Sequence, residues 1–303
     1  MSRPEVVDYL YEKMSAIIKD TQLDYIKWDM NWSITEAFSA DLPADRQLEF
    51  GHRYILGVYD LYDRLTKVFP KVLVESCASG GGRFDLGMMY YAPQAWVSDD
   101  TDAVERLAIQ DGTSYGYTQN MRGAHVSSVP NDQVGRLTSI DLRAKVTYFG
   151  DFGYELDITK LSQVEQETIR DQVAFYKQYR HLFQFGKFYR LENSDSDAKN
   201  VFGWEVVNDN QTEALGARFQ VRNGANPAYI RFYFAWLDPE KQYTVNDSDE
   251  VFSGQELMSA GYFGPRVMPR TSEKDPADFN GSLFIAKAIN LGLKSVSKLI
   301  KIK

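Results

Sequence analysis

The chain has 303 residues, 44% hydrophobic and 25% charged, an ordinary globular composition that suffices for one large domain or two smaller ones. A formal charge of −8 without a basic run argues against nucleic acid and anionic membrane as partners. The single cysteine, Cys77, excludes an intrachain disulfide, and with no apolar signal core or membrane-length stretch the expected setting is the cytoplasm.

In chain order, Val6 to Ile18 is an amphipathic helix with Val7, Leu10, Met14 and Ile18 on one face. Tyr25 to Trp28 is a short apolar strand that ends in polar residues. A helical pattern runs from about Leu48 to Phe69, where Pro70 stops it. Val72 to Glu75 is the next strand, followed by Gly-rich sequence. Ala95 to Ser98 repeats the design, then a helix from about Ala103 to Gln110. Weaker strands are expected at Ala124 to Val126 and at Val146 to Phe149. Ser162 and Glu165 form a capping box for a helix reaching about Phe183.

Strand, polar C-terminal end and helix, repeated, is the pattern of a (β/α) barrel, whose catalytic groups sit at strand C-terminal ends. Beyond Gly186 the texture changes. Val201 to Trp204, Ala217 to Val221 and Tyr229 to Phe234 alternate apolar with polar residues between Asn, Asp and Gly turns. The basic segment Lys294 to Lys303 reads as a solvated edge strand or tail. The expected architecture is α/β: an incomplete (β/α)8 TIM barrel over residues 1–188, then an antiparallel β-sandwich domain over residues 189–303. Only about five strands precede residue 155, whereas a closed barrel takes eight.

The barrel strand ends carry Lys27, Asp29 and Asn31, then Glu75 and Cys77, then Ser98 and Asp99. Lys27 and Asn31 share a face with Asp29, and a neighbouring cation favours an ionised carboxylate, which suits a nucleophile. Asp100 and Asp102 crowd Asp99, and like charges favour a protonated carboxyl, which suits a general acid. One ionised and one protonated carboxyl is the pair that glycoside cleavage requires. Acidic residues also end strands simply as caps and turn formers, and spacing alone does not separate the readings. Glycines in Cys77 to Arg83 let backbone N–H groups approach a ligand, whether sugar hydroxyls or phosphate, although the Gly-Lys-Ser/Thr of a phosphate loop is absent. The three histidines, His52, His125 and His181, pair with Cys77 in no motif and lack zinc-ligand spacing, so no catalytic metal and no cofactor are expected.

Four segments also carry a resemblance. Lys27-Trp28-Asp29-Met30-Asn31, Glu75 to Asp85, Trp96 to Asp102, and Gly123 to Val126 with Val129-Pro130-Asn131 resemble, in order, the signatures of glycoside hydrolase family 36, the large bacterial α-galactosidases. The resemblance implies retaining hydrolysis of α-galactosides of the melibiose and raffinose type, without a cofactor. It makes Asp29 the nucleophile and Asp99 the acid/base. It places Lys27 and Asn31 on galactose hydroxyls, and Cys77 and Gly80 along the galactose subsite. Arg83 and Asp85 are expected to brace the loop.

The chain departs from the family pattern at Trp32, where the family has Arg, and at Asp132, where it usually has His. It also matches only the family's C-terminal part, from about the fourth barrel strand, without the N-terminal β-sandwich. The expectation is therefore an α-galactosidase impaired in this chain, forming homo-oligomers or docking with a missing N-terminal half. The alternative is an inactive remnant that binds sugar or a partner chain.

Overall fold

The computed structural model describes residues 1–31, 34–193, 200–224, 231–264 and 278–289. Trp32, residues 229–230 of the expected third β-domain strand, and the basic tail 294–303 lie outside the described residues. The chain divides into two compact units, residues 1–99 with 121–123, and residues 100–120 with 124–303.

In the first unit, α1 (Pro4–Thr21) starts on a proline at its first turn, where the missing N–H costs nothing. It ends where Gln22 turns left-handed at φ 54°. Strand β1 (Tyr25–Asp29) leads to α2 (Phe50–Val68), and β2 (Leu73–Cys77) to the short α3 (Leu86–Met89) and β3 (Gln94–Trp96). Val7 and Ile18 of α1 bury against Leu61 and Leu65 of α2. Trp28 points to the helix side of its strand and stacks on Tyr62 of α2, ring centroids 4.6 Å apart. Strands β1, β2 and β3 pair in parallel in that order, and Ala95 and Trp96 pair with Arg122 and Gly123, the first residues of β4 (Arg122–Ser127).

In the second unit, α4 (Ala103–Thr113) begins on Asp102, which caps Val104 and Glu105 and is ion-paired with Arg136. Strand β4 continues to Ser127, and β5 (Asp151–Glu155) lies beside it. The barrel-type sheet therefore runs β1-β2-β3-β4-β5, with β1 and β5 at its edges. Successive strands lying side by side with helices between them make it a partial (β/α) barrel.

The expected strand at Val146 to Phe149 is not there. Ser139 accepts the Leu142 N–H at 3.1 Å and starts α5 (Ile140–Thr147), and the strand follows it as β5. The run is β-branched and aromatic because Leu142, Ala144, Val146, Tyr148 and Phe149 all face one core, which imitates a buried strand in sequence. The capping box of Ser162 and Glu165 does open the next helix, α6 (Gln163–Phe185).

The rest of the second unit is antiparallel. It comprises β6 (Lys187–Asn193), β7 (Val201–Val207), β8 (Glu213–Gln220), β9 (Arg231–Phe232), β10 (Gln242–Val245), β11 (Phe252–Ser253), α7 (Gly254–Ser259), β12 (Tyr262–Phe263) and β13 (Asn280–Ile289). Among the described residues six strands form one sheet in the order β11-β10-β13-β8-β7-β6, and β9 pairs with β12. Of the expected strand through Phe234, the described part is β9, which ends at Phe232, and Phe232 and Phe234 are both buried in a core with Phe284 and Tyr243.

Candidate active site

Side chains alternate across a strand, so Tyr25, Lys27 and Asp29 share the face of β1 opposite Trp28. Strand β1 pairs with β2 in a register that sets Lys27 beside Glu75 and Asp29 beside Cys77. The result is a polar column of three layers, all within the first unit.

At the base, Glu75 is fully buried. Its Oε2 accepts a hydrogen bond from the Tyr25 hydroxyl and another from Gln94 Nε2 at 2.7 Å. In the middle layer, Lys27 Nζ lies 3.9 Å from Glu75 Oε1 and 4.4 Å from the centroid of the Trp96 ring. At the top, Asp29 is exposed and ends its strand. Asn31 Nδ2 donates to Asp29 Oδ2 at 2.6 Å. Cys77 lies directly across from Asp29 in the pairing of β1 with β2 and is buried. Burial, reinforced by the Asp29 carboxylate, pushes the Cys77 thiol up to about 11, so at neutral pH it is a protonated thiol rather than a nucleophile.

The Gly-rich segment crosses from β1 toward β3. The Met30 N–H donates to the Cys77 carbonyl at 3.0 Å, and Arg83 Nη1 donates to the Met30 carbonyl at 2.7 Å. Asn31 Oδ1 accepts the Ser79 N–H at 2.6 Å. Ser79 and Gly80 both have positive φ, 49° and 75°. A Cβ on Gly80 would lie 2.7 Å from Ser98 Cα and 2.8 Å from the Asp99 nitrogen, and one on Gly81 would lie 2.8 Å from the Val97 carbonyl oxygen. Bare α-carbons are therefore what let the loop rest against the backbone that carries Asp99. Asp85 caps α3 by accepting the Met88 N–H at 2.9 Å.

All six residues singled out in the sequence as catalytic or sugar-binding thus belong to one unit: Lys27, Asp29, Asn31, Cys77, Gly80 and Asp99. Asp29 and Asp99 are both exposed, and the 77–83 loop touches the segment bearing each. Asp102, expected to crowd Asp99, has partners of its own. It is buried, its Oδ1 holds the first turn of α4, and it is ion-paired with Arg136. From the fourth motif, Asn131 is a buried turn former that accepts from the Gln133 and Val134 N–H groups at 3.0 Å, and Asp132 beside it is exposed. His125 Nδ1 lies 3.0 Å from Glu155 Oε2. Among the described residues no three His, Cys, Asp or Glu side chains gather as metal ligands. Sequence reasoning assigned no role to Tyr25, Gln94 or Trp96, nor to Glu75 beyond its place at a strand end. Counting by two from Asp29 and from Cys77 would have selected Tyr25 and Glu75.

The melibiase family model matches residues 1–186, and that of the glycosyl hydrolase family 36 C-terminal domain matches residues 201–285. The chain is 45% identical over 290 residues to alpha-galactosidase Mel36A of Lactobacillus acidophilus, covering 96% of this chain and 38% of the relative. A crystal structure of the alpha-galactosidase from Lactobacillus brevis superposes with a TM-score of 0.92 at 58% identity, over 96% of this chain and 39% of that one. A variant of alpha-galactosidase AgaA from Geobacillus stearothermophilus, crystallised in complex with raffinose, superposes at 0.88 with 45% identity, over 95% of this chain and 39% of that one. The chain thus spans about 38% of the length of the first relative.

Proposed function

The chain belongs to the melibiase family, glycoside hydrolase family 36, and from that premise we propose that it carries the catalytic carboxylates of a retaining α-galactosidase. The observation that carries the proposal is the bridge between the two aspartates. The 77–83 loop is hydrogen-bonded to Asn31, which holds Asp29, and lies against the Asp99 backbone. Asp29 attacks the anomeric carbon of a terminal α-galactosyl residue. Asp99 gives its proton to the departing glycosidic oxygen, and a covalent galactosyl ester forms on Asp29. Asp99, now a carboxylate, takes a proton from water, the water oxygen attacks the anomeric carbon, and Asp29 leaves. Asn31 donates to Asp29 and holds its carboxylate in one orientation, and Cys77 lies beside it. Lys27 and Asn31 bind galactose hydroxyls, and Cys77 and Gly80 line the subsite. The substrates are oligosaccharides of the melibiose and raffinose class, a reading supported by the raffinose complex of the AgaA variant.

The proposal extends to architecture. Residues 1–188 would be the C-terminal part of the catalytic barrel, about strands 4–8, and residues 189–303 an antiparallel β-sandwich domain, a division supported by the two family matches. Among the described residues β1 and β5 are the edges of the sheet, which supports a need for further strands, from a second copy or from a chain bearing the rest of the barrel. Turnover by this chain alone would then be weak. A cytoplasmic setting is part of the same reading, supported by Cys77 being a free thiol. The same edges favour a second reading, a non-catalytic module that binds sugar or a partner chain.

The deciding experiment is hydrolysis of p-nitrophenyl α-galactoside by this chain, alone and mixed with a separately expressed N-terminal half of a relative. Activity that Asp29→Asn abolishes supports the galactosidase, because an amide cannot form the glycosyl ester. Asp99→Asn should slow poor leaving groups far more than activated aryl ones. Activity that survives Asp29→Asn would place the nucleophile elsewhere. No activity in any mixture would leave the binding module standing.

A further inference from the structure

A fully buried carboxylate is retained only where its charge is matched, and Glu75 has few partners. Tyr25 and Gln94 both donate to its Oε2. Its Oε1 accepts no hydrogen bond among the described residues and faces Lys27 Nζ at 3.9 Å. On another side the Lys27 ammonium sits over the face of Trp96, an arrangement in which the ring quadrupole attracts the cation. Gly123 makes room for both supports: a Cβ there would lie 3.1 Å from Glu75 Oε1 and 3.1 Å from Trp96 Cε3.

We infer that Glu75 is a positioning residue, which together with Trp96 fixes the Lys27 ammonium so that its remaining N–H groups point into the cleft. A lysine stem has four rotatable bonds, and holding it in one place costs affinity unless the fold has already done so. The charges along the column alternate: Glu75 negative, Lys27 positive, Asp29 negative. Without the Glu75 charge, the remaining counter-charge in the column is Asp29. The ammonium would then swing toward the nucleophile and away from the sugar hydroxyls. The role assigned to Lys27 rests on the galactosidase reading, but its fixation by Glu75 does not.

The test has two arms. In the first, the whole chain is labelled with 13C and 15N in its lysines, and Lys27 is assigned by the peak that Lys27→Arg removes. The indole ring should displace the Lys27 ε-protons upfield of the other lysines. Glu75→Gln should abolish most of that displacement while the backbone spectrum stays folded. Glu75→Asp keeps the charge but withdraws it by one methylene, should lose part of the displacement, and serves if the Gln variant does not fold. An ordinary Lys27 shift in the wild type overturns the inference, as does an unchanged shift in a folded variant. In the second arm, Glu75→Gln should raise KM for p-nitrophenyl α-galactoside by about tenfold to a hundredfold, with kcat changed less, as expected for a hydrogen bond from a charged group made alike in ground and transition states. Equal KM in a folded, active variant overturns it. If the chain hydrolyses no galactoside, the functional reading fails, and the resonance arm still decides Glu75.

Discussion

Asn31 ties Asp29 to the glycine loop: its Nδ2 donates to Asp29 Oδ2 at 2.6 Å, and its Oδ1 accepts the Ser79 N–H at 2.6 Å. Asn31→Ala should therefore lower kcat/KM by about tenfold to a hundredfold, the worth of one hydrogen bond to a charged group. Stability should change by under about 1 kcal/mol, because the residue is exposed. Asn31→Asp should be worse, since it sets a like charge against the nucleophile. Steady-state kinetics and a urea melt on the same samples check this. Wild-type kinetics in Asn31→Ala would show that the bond is incidental.

Gly80→Ala tests the loop. The residue has φ 75°, where an alanine costs about 1–2 kcal/mol, and its Cβ would meet the Ser98 and Asp99 backbone. The expected outcome is destabilisation of about 1–3 kcal/mol by chemical denaturation. Activity should be lost beyond what the unfolded fraction explains, because relieving the clash displaces Asp99. Unchanged stability would mean that the loop can retreat without cost.

Cys77 should resist alkylation. Its thiol is buried and pushed up to about 11 by that burial and by Asp29. Iodoacetamide should label it slowly at about pH 8 and faster only near and above the raised value. The stability consequence has a definite sign. The folded state holds its proton to higher pH than the unfolded chain, whose value is near 9.0, so stability is full below that value and falls as pH rises toward about 11. Fast labelling of folded protein at neutral pH would contradict the geometry.

Glu205 of β7 gives a second pH dependence, far from the carboxylate pair in sequence. It is fully buried, its Oε2 accepts the Ala235 N–H at 2.6 Å, and its Oε1 accepts no hydrogen bond among the described residues. Burial pushes its carboxyl up to about 7, against which the Ala235 and Trp236 N–H groups pull only weakly. The fold therefore favours the protonated form. Stability is greatest below the unfolded value of 4.5 and declines as pH rises through about 7. Urea midpoints at about pH 5 and about pH 8 should differ in the wild type and converge in Glu205→Gln. An equal difference in the variant would assign the pH dependence to another group.

The sequence by itself determined the local features. Short-range chemistry marked the strand ends that carry Asp29 and Cys77, the segment after a strand that carries Asp99, the Ser162–Glu165 capping box, and the change from helical to alternating texture after Gly186. Each depends on residues a few positions apart, where propensity, capping and periodicity act. Only the tertiary structure decided the rest. Residues 146–149 became the end of a helix and its exit, because their apolar side chains are taken up by a core assembled from distant elements. Asp102, one more acid beside Asp99 in sequence, went to a helix cap and to Arg136. Glu75 came to lie beside Lys27, and Cys77 beside Asp29, through the pairing of β1 with β2. Strand register is a nonlocal choice, made by the whole sheet burying one face of every strand at once, and no window along the chain contains it.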